Sequence, residues 1–328
     1  MMLQSKKNNS KALWIGLKLL IAFVALWFIY KRVVEKENTE DWWQEARIVI
    51  SSGANIYCFL LVFLLMLMNW AVEAIKWRSV IQRLESITFW RALEAVFSGI
   101  TISLFTPNRI GEYAGRVFHL ETADRIEATL VTVLENFSQL VITLVFGSVA
   151  TIFYLHLYSD IPAYLENALM TLALMVASSS LLFYYNVSLV EVIVRKFRKS
   201  GPWDKYFAVF SSFSNSQLTK LLALASIRYL IFSYQFYILL LLFGVAVPYL
   251  TAMVLIAVTY LLMSIVPTFA LTELGVRGAI ATFFFVNVTG NLQGVINASF
   301  SLWLINLAIP ALLGVFFVFE FKFVRRKV

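Results

Sequence analysis

Two short stretches carry most of the side chains that could do chemistry in this chain. Residues 106–116 read T-P-N-R-I-G-E-Y-A-G-R, which sets Arg109, Glu112 and Arg116 at three- and four-residue steps past Pro107. Later in the chain Pro267 is followed by Glu273, Gly275, Arg277 and Gly278. In both stretches a glutamate precedes an arginine by four positions, five or six residues after a proline. Planar guanidinium groups suit two-pronged contacts to phosphate. The carboxylates could hold those arginines, meet a cationic group or carry a proton.

The backbone around them matters as much. Proline removes a donor and clashes with the preceding turn. Broken helices at membrane depth are tolerated only where they are buried in protein or line a wet cavity. Pro107, Gly111, Gly115, Pro267 and Gly275 are expected to make such breaks. A helix restarting after Pro107 would aim free N–H groups at the cavity and attract anions. Arg109, Glu112 and Arg116 would share one face of it. Gly111 and Gly115 form a G-x-x-x-G step that admits a close neighbouring helix.

The setting is apolar. Of 328 residues, 60% are hydrophobic and 14% charged, and the mean hydropathy is +0.79. Soluble domains run near 25% charged, so this is an integral membrane protein. The net charge of +8 reads as cytoplasmic Lys and Arg and not as a nucleic-acid footprint. Cys58 stands alone, and His119 and His156 are far apart, so neither a disulfide nor a metal site is expected, and no cofactor. The run after Lys11 is too long for the apolar core of a signal peptide.

Apolar runs at 12–30, 54–72, 126–155, 164–185, 218–244, 249–266, 274–288 and 295–319 supply about eight spans. Segment 31–53 is mixed in charge, and Trp42-Trp43 suits a helix lying in the interface. Residues 87–106 carry Arg91 and Glu94 and end at Pro107; they are read as a half-helix that enters the membrane and turns back. Lys76, Trp77, Arg78 and Arg83 look like a basic cytoplasmic segment. Residues 207–217 suit an interfacial helix, and Pro310 a kink. Basic residues collect at the N-terminus, 73–91, 186–206 and the C-terminus, which places both termini in the cytoplasm. The expected fold is an all-α polytopic membrane helix bundle with re-entrant half-helices. Residues 1–11 and 321–328 form tails and 12–320 a single domain.

Paired broken helices in two halves are the signature of transporters built from inverted repeats. The match covers few residues, and coincidence stands beside it as an alternative. Glu94, Glu135 and Arg228 could face the same cavity, Glu94 and Glu135 as coupling groups. Equally, Glu135 could pair with Arg228 for structure alone, and the arginines could form a neutralised network with no ligand.

The motifs carry a resemblance. W-x6-K-W-R at Trp70–Arg78, the T-P-N-R-I-G-E-Y-A-G-R stretch, Arg228 and E-L-G-V-R-G at 273–278 resemble the lysylphosphatidylglycerol synthase transmembrane region. This is the flippase part of the multiple peptide resistance factor, found also as stand-alone bacterial and archaeal membrane proteins. The resemblance spans residues 12–320. It implies movement of anionic or aminoacylated phospholipids between leaflets of the inner membrane. By motif match it places Arg109, Glu112 and Arg116 at one site and Gly275 and Arg277 at a second. The chain departs from the family where glycines are missing after Pro267, and Gly278 stands where a glutamate is common; Glu273 is the candidate substitute. The synthase domain is not expected.

The leading expectation is a non-enzymatic phospholipid translocator. Its head-group ligands would be Arg109, Glu112, Arg116, Arg228, Glu273 and Arg277. No G-x-x-x-x-G-K-[ST] motif for ATP occurs, so movement would be passive or driven by an ion gradient. A membrane enzyme using Glu112 or Glu273 as base, a non-transporting envelope-biogenesis partner and a homo-oligomeric assembly are the alternatives kept open.

Overall fold

A computed structural model describes residues 53–158, 160–197, 204–267 and 270–319, with five isolated positions before residue 53. The expected first span at 12–30, most of segment 31–53 and both tails lie outside the described residues. The rest is helical, with no strand among the described residues. In chain order the helices are α1 (Gly53–Ile81), α2 (Phe89–Ser103), α3 (Gly111–Val117), α4 (Arg125–Tyr158) and α5 (Ala163–Tyr185). Then come α6 (Leu189–Phe197), α7 (Asp204–Ser211), α8 (Asn215–Leu242), α9 (Tyr249–Ile265), α10 (Ala270–Phe285), α11 (Leu292–Trp303) and α12 (Ile309–Val318).

Five of these stretches are long and apolar enough to cross a membrane: 55–81, 125–158, 163–185, 215–242 and 292–318. This is an all-α, multi-pass membrane bundle. Helix α1 outruns its expected end. It continues through the segment read as a cytoplasmic loop, and both Lys76 and Trp77 are fully buried. The indole of Trp77 donates to Thr132 Oγ1 at 3.0 Å, and Lys76 finds carboxylates inside the bundle, so burial of this basic stretch is satisfied. The region expected as one interfacial helix at 207–217 is split. Helix α7 stops at Ser211, and a capping box between Ser214 and Gln217 starts α8.

The two halves follow one plan. A long helix is followed by a helical hairpin broken at a proline, then by a second long helix. In the first half these are α1, α2–α3 around Pro107, and α4; in the second they are α8, α9–α10 around Pro267, and α11–α12. The counterparts α1 and α8 lie side by side and antiparallel. Gln217 near the start of α8 meets Arg83 just past α1, while Gln235 further along donates to the Val62 carbonyl near the start of α1 at 2.8 Å.

Each hairpin packs on the long helix that closes the other half. A Cβ on Gly314 of α12 would lie 2.1 Å from the Phe97 carbonyl and 2.3 Å from Thr101 Oγ1 on α2. In the other half a Cβ on Gly147 of α4 would lie 2.5 Å from Leu261 on α9. Thr101 stands six residues before Pro107 and Leu261 six residues before Pro267. Antiparallel counterparts and exchanged hairpins are the arrangement of an inverted repeat.

Within the first hairpin α3 folds back along α2. A Cβ on Gly115 would approach Gly99 Cα to 2.5 Å, and one on Gly111 would approach Ile102 to 2.8 Å. These glycines are not breaks; they allow backbone-to-backbone contact. The chain leaves the hairpin where it entered. Arg91, near the start of α2, donates to the His119 carbonyl at 2.8 Å and to Glu121 at 2.9 Å. Glu85, just before α2, accepts from the backbone N–H groups of Glu121, Thr122 and Ala123 and from the Thr122 hydroxyl. Burial opposes its ionised form, but these donors outweigh burial and hold its carboxyl below the usual range.

In the last span Pro310 cannot donate to the turn before it. The chain answers with a wide turn at Leu304–Ala308, where the Ile309 N–H reaches the Leu304 carbonyl. Such π-turns are one of the recognised ways a helix absorbs a proline.

Candidate functional site

The two prolines sit at the tips of the two hairpins, and the tips meet. After Pro107 the backbone turns through the left-handed region, with φ of 48° at Asn108 and 58° at Arg109. Non-glycine residues enter that region at a cost, and such strain gathers at functional sites. The turn separates Arg109 from the helix that restarts at Gly111. Arg109 therefore does not share a face with Glu112 and Arg116, as helical spacing predicted. It reaches across to the other half instead. Its Nη2 donates to both Glu273 oxygens at 2.7 and 2.9 Å. Arg277, one turn further along α10, donates to the same carboxylate at 2.8 Å.

The start of α3 is also different from expectation. The Gly111 N–H is taken by Thr106 Oγ1 at 2.7 Å, so it is not offered to an anion. Gly275 lies within α10 and has no heavy atom within 4 Å of where a Cβ would sit. The break belongs to the region of Pro267, not to Gly275.

A second set of charges lies deeper. Arg116 is fully buried and pairs with Glu73 and Glu112 and, at 3.0 Å, with Glu135. Lys76 bridges Glu73 at 3.0 Å and Glu135 at 2.8 Å. Arg228 pairs with Glu73 and donates from Nε to Asn69 Oδ1 at 3.0 Å. Three cations thus meet three carboxylates, from α1, α3, α4 and α8. Removing ions from water is expensive unless every member is matched, and here the count balances. The pairing of Glu135 with Arg228 raised by the sequence does not form, because Glu73 stands where Arg228 needs it.

Between the deep network and the hairpin tips is a cavity of about 560 Å³, within the ~300–1,000 Å³ usual for ligand pockets. Its charged lining is Glu73, Arg109, Glu112, Arg228, Glu273 and Arg277. Both halves contribute, with α1, the 107–109 turn, α3 and α4 on one side and α8 to α11 on the other. Aromatic rings of Trp70, Tyr229, Phe232, Tyr260 and Trp303 also line it. The Arg228 guanidinium lies 5.2 Å from the Trp70 ring centre, and that of Arg277 lies 5.8 Å from Phe232.

The structure thus brings five of the six expected head-group ligands to one cavity. Arg116 is the exception; it stands behind the wall and holds Glu112 and Glu73 in place. Neither Glu94, half-buried on α2, nor Glu135 lines the cavity. Sequence reasoning missed Asn69 and Glu73 and took Lys76 for part of a cytoplasmic segment. Their signal was present: on one apolar helix they are spaced by four and then three residues, which is one face, and ionisable groups there warrant a functional reading. The apparent end of the span at Val72 concealed it.

A comparison with family models finds that of the lysylphosphatidylglycerol synthase TM region, which matches residues 15–314. The chain belongs to this family. A comparison with curated proteins finds no match, and none is found among solved structures. Membership makes this a membrane protein of lipid-related function. Of the motif residues of the two hairpins, Arg109, Glu112, Glu273 and Arg277 line the cavity, while Arg116 lies behind it.

Proposed function

We propose that this protein moves phospholipids between the leaflets of a bacterial or archaeal inner membrane. The observation that carries this reading is the position of the cavity. It lies at the junction of two inverted halves, where two proline-broken hairpins meet, and it is lined by Arg109, Arg228 and Arg277. In repeat-built transporters substrates sit at such junctions, and access alternates when one half rocks against the other. The lipid phosphate would compete with Glu273 for Arg109 and Arg277. That competition would loosen the tie between the hairpins only when a head group is bound. Acyl chains would stay in the bilayer. The protein would bind and release its lipid without changing it, with both termini in the cytoplasm.

The test is a proteoliposome assay with a fluorescent phospholipid and a membrane-impermeant quencher. The lipid should change leaflet faster in vesicles that hold the protein than in vesicles with Arg109→Ala. Equal rates for wild type, variant and protein-free vesicles would overturn the reading.

A further inference from the structure

The cavity is walled unevenly. Where α11 and the wide turn after it line it, Leu302, Trp303, Asn306 and Leu307 are at most 6% exposed. Three other lining residues are exposed: Asn108 in the tip of the first hairpin, Leu140 on α4 and Ser264 near the end of α9. They mark a mouth, and helix lengths explain it. Helix α9 lies antiparallel on the last part of α4, from the Tyr158 hydroxyl on Thr251 Oγ1 at 3.1 Å to the close approach of Leu261 to Gly147. It then ends at Ile265, while α4 continues back to Arg125. Leu140 lies beyond that end and is left 39% exposed.

The depth of the mouth decides what it opens onto. Leu140 stands 15 residues after Arg125 and 18 before Tyr158, the two ends of a span-length helix. At a rise of 1.5 Å per residue it is about 22 Å from one end and about 27 Å from the other. An opening at the middle of a spanning helix faces hydrocarbon, whose thickness is about 30 Å. The rim suits that solvent. Ile110 and Ile265, two and one residues from Asn108 and Ser264, are 58% and 64% exposed.

Inside the rim the chemistry changes. Asn136, Gln139 and Thr143 line the cavity from the same face of α4 as Leu140 and are each half-buried. They set polar side chains along about 10 Å of membrane depth. Polar groups at that depth mark a substrate path. An aliphatic rim around a polar interior has the two-part character of a phospholipid.

We infer that the mouth between Asn108, Leu140 and Ser264 is a lateral portal for a phospholipid. The head group enters and slides along Asn136, Gln139 and Thr143. The acyl chains stay outside and run over Ile110, Leu140 and Ile265. This rests on the lipid-binding part of the proposed function and supplies its route of entry.

The first test is photolabelling in phosphatidylglycerol vesicles. A lipid with a diazirine on its head group should attach to Asn136, Gln139 or Thr143, a depth that lipids merely surrounding the protein do not bring their head groups to. The same lipid with the diazirine in an acyl chain should attach to Ile110, Leu140 or Ile265. Head-group attachment confined to the helix ends would overturn the inference. The second test plugs the mouth after folding. In a Cys58→Ala background, Leu140→Cys is purified, modified in detergent with a bulky maleimide and reconstituted. Leaflet exchange should fall by roughly tenfold on modification, the scale of a modest overpacking cost. The same group on Leu174→Cys, 58% exposed on α5 and away from the cavity, should leave the rate unchanged. No fall at position 140, or an equal fall at both positions, would sink the portal. The two claims fail separately. Labelling in this pattern without leaflet exchange removes the transport reading alone, and exchange that the plug does not slow removes the portal alone.

Discussion

Arg109 and Glu273 are 164 residues apart in sequence, yet one guanidinium nitrogen donates to both carboxylate oxygens. The bond ties the tip of one hairpin to the helix that follows the break in the other. It spans the two halves at the cavity, as Arg228 with Glu73 also does, and the Arg109 side chain keeps 38% of its exposure. A contact that is partly open to solvent and shared between two halves is suited to being made and broken.

A double-mutant cycle on this pair should show coupling. Arg109→Ala and Glu273→Gln should each slow lipid translocation by roughly tenfold, about one charge-assisted bond. The double variant should be much less impaired than the product of the two. Independent, multiplying effects would mean that the pair does not act as a unit.

The deep network should behave as structure. Glu135→Ala leaves Lys76 and Arg116 short of a buried counter-charge, and breaking such a pair costs about 3–5 kcal/mol. A large fall in thermal unfolding temperature in detergent is expected. Replacing partners together, as Lys76→Met with Glu135→Leu, should recover much of it. If Glu135→Ala unfolds like wild type, the network is not holding the bundle.

The glycines should divide sharply. Gly115→Ala would drive a Cβ to 2.5 Å from Gly99 Cα, so α3 could not lie along α2, and expression of folded protein should collapse. Gly275 has open space where a Cβ would go, so Gly275→Ala should be tolerated and could add about 0.5–1 kcal/mol by favouring the helix. Yields of monodisperse protein by size-exclusion chromatography decide this.

Acid should loosen the loops that close the first hairpin. Glu85 has its carboxyl held below the usual range by the 121–123 backbone. Its unfolded value is about 4.3. The stabilisation is therefore fully present above that value and is lost as pH falls through the lower folded value. Glu85→Gln should be less stable than wild type at neutral pH, and the gap should close on acidification. Unfolding temperatures measured across pH would show whether the two curves converge.

The apolar composition and the length of the runs fixed the class of fold from sequence alone, because burial in lipid requires long helices with their backbone bonds satisfied internally. The charged stretches past Pro107 and Pro267 were legible for the same reason: ionisable side chains in such runs are too costly to be idle. Helical spacing also related Glu112 to Arg116 and Glu273 to Arg277 correctly, since those pairs lie within single helices. What spacing could not decide was everything that crosses the chain. Arg109 left its expected face because two left-handed residues turn it toward Glu273, and backbone dihedrals of that kind follow from the packing of the hairpin tip. Lys76 and Glu73 became core residues because α8 and α4 bring Arg228 and Glu135 to them; on α1 alone they read as a span end. Arg116, adjacent in motif to Arg109, lost its role in the cavity to Glu73, Glu112 and Glu135. Local periodicity sets which groups share a helix, but ion pairs between helices depend on how the two halves fold onto one another.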